Sequence, residues 1–350
     1  MSKVPVKLLE KLSNAIGVSG NEDEIRQIVI DQVKPYVDEY KVDPLGNVLA
    51  VKHAASPDAT RVLFAAHMDE VGFMLVQEDS EGLFIFQPVG GMDERQLAAK
   101  PVLVGKDHVP GVIGSKPIHL TTPEERSRSI PRGSMRIDVS PANAGKVKVG
   151  DFATFATRFQ QSGDSLFGKA IDDRMGVATL LELARLNPAK QEVLFAFTVQ
   201  EEIGLRGARV AAYDFQPDMA FVIDSTPAFD LPLPNDEAEN TQYNCRLGAG
   251  PAIYLADAGT ISDPRLIRFL VRLAEEHALP CQFRQPGGGG TDAGAIHITR
   301  EGVPSVSISI PGRYAHTPIL HAKIKDWQNT LDLLRLVLDH ADRSILAVDR

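Results

Sequence analysis

Histidine and carboxylate residues follow the apolar runs of this sequence at the points where those runs end. They are His67 and Asp69 after RVLFAA, Glu201 and Glu202 after VLFAFTV, Asp224 after MAFVI, and His316 shortly after SVSISI. A further acidic pair, Asp172 and Asp173, lies in a turn before a predicted helix. Because the strands of an open α/β sheet bring their carboxyl ends to one edge, we expect these side chains to converge there.

Such a cluster has the composition of a metal site. Imidazole nitrogens and carboxylate oxygens without a thiolate suit zinc, cobalt or manganese. The carboxylates exceed what one tetrahedral ion needs, so the sequence predicts two divalent ions, with Asp172 as the candidate shared ligand. His67, Asp224 and His316 are predicted to contribute to the two ligand sets. Two ions roughly 3.5–4 Å apart are a common arrangement for hydrolysing a peptide bond.

The remaining acidic residues are predicted to act around these ligands. Asp69 lies two residues after His67 and can hold the second ring nitrogen of that histidine. Strand alternation would point Glu201 and Glu202 in opposite directions, so one of them should be a ligand. The other can take a proton from the attacking water as general base.

Each of these residues alone also has an ordinary structural explanation. A single histidine after a strand is commonly structural, and acidic residues before a helix are favoured by the helix dipole. Their joint occurrence after separate strands favours the metal site. The glycine run 287–290, with Thr291 and Asp292, lacks the GK[ST] ending of a phosphate loop and is predicted to form a flexible wall of the active site.

The composition argues against a nucleic-acid-binding protein and against a membrane-spanning protein. The chain has 350 residues and a net charge of -9, and it has no basic stripe that would bind nucleic acid. It also has no run of the ~20 apolar residues that a membrane span requires. The N-terminus lacks the apolar segment of a signal peptide, which predicts a cytoplasmic protein. Cys245 and Cys281 lack the paired spacing of a zinc ribbon and are predicted to be small buried residues.

The pattern of elements predicts an α/β domain that is interrupted by an all-β domain. Helical apolar spacing and β-like runs alternate before and after a middle region, 73–159, which has only short β-like runs and turns. We therefore predict catalytic segments at 1–71 and 161–350 and an inserted barrel-like β domain at 72–160. The predicted helices include 6–16, 22–37, 174–186, 264–277 and 326–340, and the predicted strands include 48–51, 61–66, 192–198, 219–223 and 304–310.

Several stretches, taken in order, resemble a known enzyme family. AAHMDEVGFM, GKAIDDRMG, VQEEIGLRGA, GGTDAGAIH and RYAHTP are similar to motifs of the metallo-aminopeptidases that include glutamyl aminopeptidase, the tetrahedral (TET) aminopeptidases and proteins labelled cellulase M or endoglucanase. The resemblance implies a three-layer, mixed-sheet, zinc-peptidase-like catalytic domain and an inserted dimerisation domain. It also implies dimers that assemble into a dodecameric tetrahedron, and a cis bond between Asp172 and Asp173.

The resemblance also assigns a role to each site residue. Glu201 is implied to be the general base, and Asp172 the bridging ligand. The implied metal ligands are His67, Asp172, Glu202, Asp224 and His316.

The expected function is hydrolysis of N-terminal residues from peptides with two divalent ions, zinc first and cobalt or manganese as alternatives. A deacylase of N-acyl amino acids on the same scaffold and a non-enzymatic shell protein are the rival hypotheses. The acidic segment 229–244 could line the active-site entrance or an oligomer contact. The sequence leaves the preferred first residue of the substrate open.

Overall fold

The computed structural model describes residues 3–186, 190–231 and 245–349. In this part of the chain an eleven-stranded mixed sheet is accompanied by a closed six-stranded barrel. The sheet contains β1 (Glu39–Val42), β2 (Val48–Lys52), β3 (Arg61–His67), β10 (Gln160–Ser162), β11 (Ser165–Gly168), β12 (Glu192–Thr198), β13 (Met219–Pro227), β14 (Ala252–Tyr254), β15 (Gln282–Arg284), β16 (Ser305–Arg313) and β17 (Leu320–Lys323). The barrel contains β4 (Gly72–Ser80), β5 (Leu83–Val89), β6 (Pro101–Val104), β7 (Val109–Gly114), β8 (Arg136–Asp138) and β9 (Phe152–Phe155).

The central strands of the sheet are buried on both faces. Phe64 of β3 packs in one apolar cluster with residues of the helices Ile171–Ala184 and Ile324–His340, whereas Leu63 and Ala65 pack in a second cluster with residues of the helices Arg206–Phe215 and Ala293–Ile296. Neighbouring side chains of a strand point to opposite faces, so this division produces three layers. The α-helices of the described residues are α1 (Val6–Asn14), α2 (Asp23–Val33), α3 (Pro123–Arg126), α4 (Ile171–Ala184), α5 (Arg206–Phe215), α6 (Pro264–Glu276), α7 (Ala293–Ile296) and α8 (Ile324–His340).

The barrel closes in the order β4-β5-β8-β7-β6-β9. Its interior holds Phe73, whose ring meets the rings of Phe86 and Phe155 edge to face at 5.2 Å in each case. The barrel strands all follow β3 and precede β10, so the predicted fold class, a mixed-sheet α/β domain with an inserted all-β barrel, is confirmed. The domain boundaries at 71/72 and 160/161 stay predictions.

The second helix ends earlier than the sequence predicts, because a proline follows it. The second helix was expected to reach residue 37, but α2 ends at Val33 and a 3-10 turn, Lys34–Tyr36, follows it. Pro35 within that turn has no N–H to continue the α-helical ladder. Among the described residues, no helix is both long and apolar enough to cross a membrane.

Candidate active site

The predicted site residues meet at the carboxyl edge of four neighbouring strands. β12 and β13 each pair with β3 in parallel, and β16 pairs with β13 in parallel, so all four strands end at the same edge. Asp172 comes from the start of α4, which packs against β3 and β13. The residues that this edge brings together are His67, Asp69, Asp172, Glu201, Glu202, Asp224 and His316.

One group of three possible metal ligands consists of His67, Asp172 and Asp224. The Nε2 atom of His67 lies 3.5 Å from an Asp172 carboxylate oxygen and 3.8 Å from an Asp224 carboxylate oxygen. The ligand atoms of the group all lie within 4.8 Å of one another, and His67 is almost fully buried. The three ligand atoms, one nitrogen and two carboxylate oxygens, come from different strands and helices and face a common space.

A second group consists of Asp172, Glu202 and His316. The Nε2 atom of His316 lies 3.7 Å from Asp172 Oδ2 and 3.4 Å from Glu202 Oε2. Asp172 therefore presents Oδ1 to His67 and Oδ2 to His316. A carboxylate in this position can join two neighbouring cation sites.

Both histidines are oriented through their other ring nitrogen. Nδ1 of His67 is 3.1 Å from the backbone carbonyl of Asp69, and Nδ1 of His316 is 2.8 Å from the carbonyl of Gly91, which follows barrel strand β5. A carbonyl oxygen only accepts, so each Nδ1 carries a proton, and each Nε2 points toward the carboxylates, the position from which it can bind a cation. The barrel thus supplies a contact that orients a site residue of the α/β part.

The carboxylates crowd one another at this edge. Burial and the neighbouring Asp172 raise the pKa of Asp224 to about 7, and the same two causes raise the pKa of Glu202 well above its ordinary value. Burial opposes protonation of His67, yet its interactions with Asp172, Asp224 and Asp69 raise its pKa well above the ordinary value. The cluster therefore has a strong tendency to take up positive charge.

The Asp172–Asp173 peptide bond is cis, as the resemblance implied. The two side chains have different surroundings. Asp173 is fully buried and accepts a hydrogen bond from the backbone N–H of Gly176 at 3.0 Å, whereas Asp172 faces the two histidines. The second aspartate therefore holds the start of α4 and the first one faces the site.

The two glutamates are positioned by a turn and not by strand alternation. β12 ends at Thr198, and Glu201 and Glu202 lie beyond it, so the argument from alternating strand side chains was wrong. Both glutamates line the cleft, and Glu202 also belongs to the second ligand group. The turn is held by Asp69, whose Oδ1 accepts the Glu201 N–H at 3.0 Å and whose Oδ2 accepts the Glu202 N–H at 3.2 Å. Burial raises the pKa of Glu201 well above its ordinary value.

The site opens into a cleft of about 1200 Å³. The glycine run 287–290 forms part of its wall, in agreement with the sequence prediction, and Phe229 lines it as well. Of the acidic segment 229–244, residues 232–244 lie outside the described residues. Cys245 is fully buried, Cys281 is partly buried, and both are free thiols.

Two residues of the cleft wall were missed in the sequence. Tyr254 and Arg284 line the cleft wall from β14 and β15. Asp292 is buried beside the end of β12, where it accepts a hydrogen bond from the Thr198 hydroxyl at 2.5 Å. The short run QFR before the glycines was the available signal for Arg284, but a three-residue strand has too little periodicity to be recognised.

Comparison with known proteins identifies the family. Residues 46–333 match the model of the M42 glutamyl aminopeptidase family. A putative aminopeptidase of Acetivibrio thermocellus is 36% identical over 93% of this chain and 96% of its own length. A lysyl aminopeptidase of Pyrococcus furiosus is 33% identical, covering 95% and 96%, and a glutamyl aminopeptidase of Lactococcus lactis is 31% identical, covering 94% of each chain.

The folds of several solved structures are similar to that of this chain over almost its whole length. An aminopeptidase from the archaeon Desulfurococcus kamchatkensis superposes with a TM-score of 0.91 at 34% identity, covering 99% of this chain and 97% of the other. A TET aminopeptidase from a marine-sediment thaumarchaeote has a TM-score of 0.90 at 35% identity, covering 98% of both. The Pyrococcus horikoshii TET1 peptidase, which can assemble into a tetrahedron or a large octahedral shell, has a TM-score of 0.83 at 32% identity, covering 96% and 99%. The chain therefore belongs to the M42 glutamyl aminopeptidase family and is an aminopeptidase.

Proposed function

We propose that this enzyme releases single residues from the free N-terminus of peptides at a centre of two divalent cations. His67, Asp172 and Asp224 would hold one cation, and Asp172, Glu202 and His316 would hold the other. The observation that supports this most directly is the position of Asp172, whose two oxygens face different histidines. The rival deacylase function has no comparable observation in its favour.

The residues present fit such cations. Asp172 Oδ1 is buried and has no hydrogen-bond partner among the described residues, although buried polar atoms are ordinarily paired. The raised pKa values of Asp224 and Glu202 are consistent with this, since burial and the neighbouring Asp172 disfavour their charged forms. A donor set of nitrogen and oxygen atoms suits zinc, cobalt or manganese, and we propose zinc.

Two such ions, when bound, supply Lewis acidity that polarises the substrate carbonyl and acidifies water. The protein side chains then transfer the proton of the attacking water. Glu201 lines the cleft beside the ligands and contributes no atom to either ligand group, so its carboxylate is available to accept the proton of the attacking water. It can return that proton to the leaving amine as the peptide bond breaks. Asp69 keeps this carboxylate in place through the backbone of Glu201.

Substitution of the proposed base tests the function. Glu201→Gln should retain two metal ions per chain, measured by elemental analysis, and should lower kcat by about 10²- to 10⁴-fold. Glu275→Gln, on the exposed side of α6, is the matched control and should keep wild-type rates. Free-amine peptides should be cleaved and N-acetylated peptides should not. Near wild-type turnover of Glu201→Gln, or equal cleavage of acetylated peptides, would contradict the proposal.

We also propose that the chain forms dimers through the inserted barrel and that these assemble into a tetrahedral dodecamer. Support comes from apolar side chains that the barrel segment exposes, including Ile118 at 69% and Leu120 at 60% exposure. Twelve chains of 38.1 kDa would have a mass of about 457 kDa. Light scattering after size exclusion measures this mass. Ile118→Asp together with Leu120→Asp should yield smaller species, and a wild-type monomer would contradict the proposal.

A further inference from the structure

The segment that follows barrel strand β5 contacts two ligands of one proposed cation site. The backbone carbonyl of Gly91 accepts the Nδ1–H of His316 at 2.8 Å. A Cβ atom at Gly90 would lie 3.3 Å from Cβ of Glu202 and 2.8 Å from a methyl group of Val71, so the glycine backbone passes close to both side chains. Both of these ligands, the histidine and the glutamate, belong to the second group of possible metal ligands.

The first group of ligands is held largely by the central sheet. His67 is the last residue of β3, and Asp224 lies within β13, where it pairs with β16. The side chain of His67 is only 3% exposed, and its Nδ1 contacts the carbonyl of Asp69 in the loop that follows its own strand. The contacts that fix these two ligands therefore come from the α/β part of the chain.

His316 is held less firmly by its own surroundings. It lies in a turn after the end of β16, with a left-handed φ of +56°, and its side chain is 45% exposed. An exposed side chain can occupy several rotamers, and binding a metal ion fixes one of them at a cost in conformational entropy. A partner on the second ring nitrogen reduces this cost, because it already holds the ring in the orientation that the ion needs. The carbonyl of Gly91 is that partner.

We propose that Gly90 and Gly91 are positioning residues through which the inserted barrel sets the metal affinity of the second site and leaves that of the first unchanged. The inference rests on the proposed two-cation function. Gly91 supplies the carbonyl that orients His316, and Gly90 allows the backbone to come close enough to place it. Gly90 has a φ of +86°, which L side chains rarely adopt, and a methyl group at this position would collide with Val71.

Replacing Gly90 by Ala tests this assignment, with Zn²⁺ alone as the ligand. Titration of the metal-free, full-length protein against a chelating dye should show two bound ions in wild type. In Gly90→Ala one ion should keep its affinity, and the other should bind about 10- to 100-fold more weakly.

Variants that keep a single site show which ion is affected. His67→Ala leaves the second site, and Gly90→Ala added to it should weaken the remaining ion. His316→Ala leaves the first site, and Gly90→Ala added to it should not change the affinity of the remaining ion. A general loss of stability would weaken both sites, so this difference reports on positioning and not on folding.

Gly150 provides the matched control. It lies in the barrel segment with a φ of +92°, and a Cβ atom there would meet no neighbouring atom within 4 Å. Gly150→Ala therefore imposes a similar backbone strain away from the ligands and should keep both zinc affinities. A second variant, Val71→Ala, removes the methyl groups packed against Gly90 without adding an atom. It should weaken the second site and spare the first, and it keeps the test available if Gly90→Ala does not fold.

The site-resolved affinities separate failure of this inference from failure of the proposed function. Two ions in wild type, with an unchanged second site in Gly90→Ala and Val71→Ala, would overturn the positioning role and leave the two-cation function supported. Equal weakening of both sites by Gly90→Ala, or the same loss in Gly150→Ala, would show that Gly90 serves only the fold. A wild-type protein that binds fewer than two ions would overturn the proposed two-cation centre, and this inference with it.

Discussion

Asp69 accepts the backbone N–H of Glu201 at 3.0 Å and so joins the loop after β3 to the turn after β12. The same carboxylate accepts the N–H of Glu202 at 3.2 Å and the hydroxyl of Ser19 at 2.5 Å. Asp69 is fully buried and acts on the site through the residues that it holds. It is therefore a positioning residue for the proposed base and for one proposed ligand.

Replacing Asp69 by Asn should lower kcat/KM by about 10- to 100-fold, the usual effect of losing a partner of metal-site residues. The amide NH₂ group cannot accept a hydrogen bond, so one of the two backbone N–H groups loses its partner. Steady-state kinetics together with metal content would measure the effect. Ser19→Ala removes a different bond to Asp69 and leaves both N–H bonds intact, so it should cost less than the Asn variant. Equal losses in the two variants would argue against the positioning role.

Metal stoichiometry should depend on which ligand is removed. His67→Ala and His316→Ala should each retain about one ion per chain, whereas Asp172→Ala should retain fewer than either, because Asp172 belongs to both groups. Elemental analysis after dialysis would count the ions, and chelation of the wild type should abolish activity. His321→Ala, a half-buried histidine that contacts Ser165, should retain both ions. An Asp172→Ala protein with two ions would contradict the shared-ligand assignment.

Glu70 lies at the junction between the barrel and the α/β part. Its carboxylate accepts hydrogen bonds from Thr154 of β9 at 2.8 Å, from Lys169 at 2.9 Å and from the backbone N–H of Gly17 at 3.0 Å. Glu70→Gln should lower the free energy of unfolding by about 3–5 kcal/mol, because it leaves buried cations without their counter-charge. Denaturant titration would measure this loss.

An exposed ion pair is the control for Glu70. Lys116 and Glu125 are 3.1 Å apart on the surface of the barrel segment. Lys116→Met should change the unfolding free energy by less than about 1 kcal/mol, since solvent screens such pairs. A loss at Glu70 no larger than that at Lys116 would show that the buried carboxylate contributes nothing to stability.

Glu22 should make the stability of the protein depend on pH. Burial and the nearby Asp69 raise its pKa from 4.5 to about 7. The folded state therefore favours the protonated form of Glu22, so the contribution of this residue to stability is complete below about pH 4.5 and is lost as the pH rises through about 7, by up to about 3 kcal/mol. Glu22→Gln should thus be more stable than wild type at pH 8 and similar to it at pH 4.5. Denaturation at the two pH values would compare them, and an equal difference at both would contradict the prediction.

Local patterns in the sequence were sufficient to predict the central strands and to single out the polar residues that the structure brings together at their ends. The apolar runs that end in His67, Asp224 and the two glutamates predicted buried strands, and the polar residues at their ends predicted a shared edge. These features can be recognised in the sequence because a strand that is buried on both faces requires continuous apolar residues, and a metal site requires particular donor atoms. Motif resemblance then distinguished Glu201 from Glu202, which the alternation argument could not do.

The tertiary structure decided how these residues are held and what faces them. The contact between Gly91 and His316 joins residues 225 positions apart, and the bonds from Asp69 to the glutamate turn span more than 130 positions. Arg284 in the cleft wall depends likewise on the packing of a three-residue strand. Such contacts leave no periodic pattern in the chain, because they arise only when distant segments pack together and water is excluded between them.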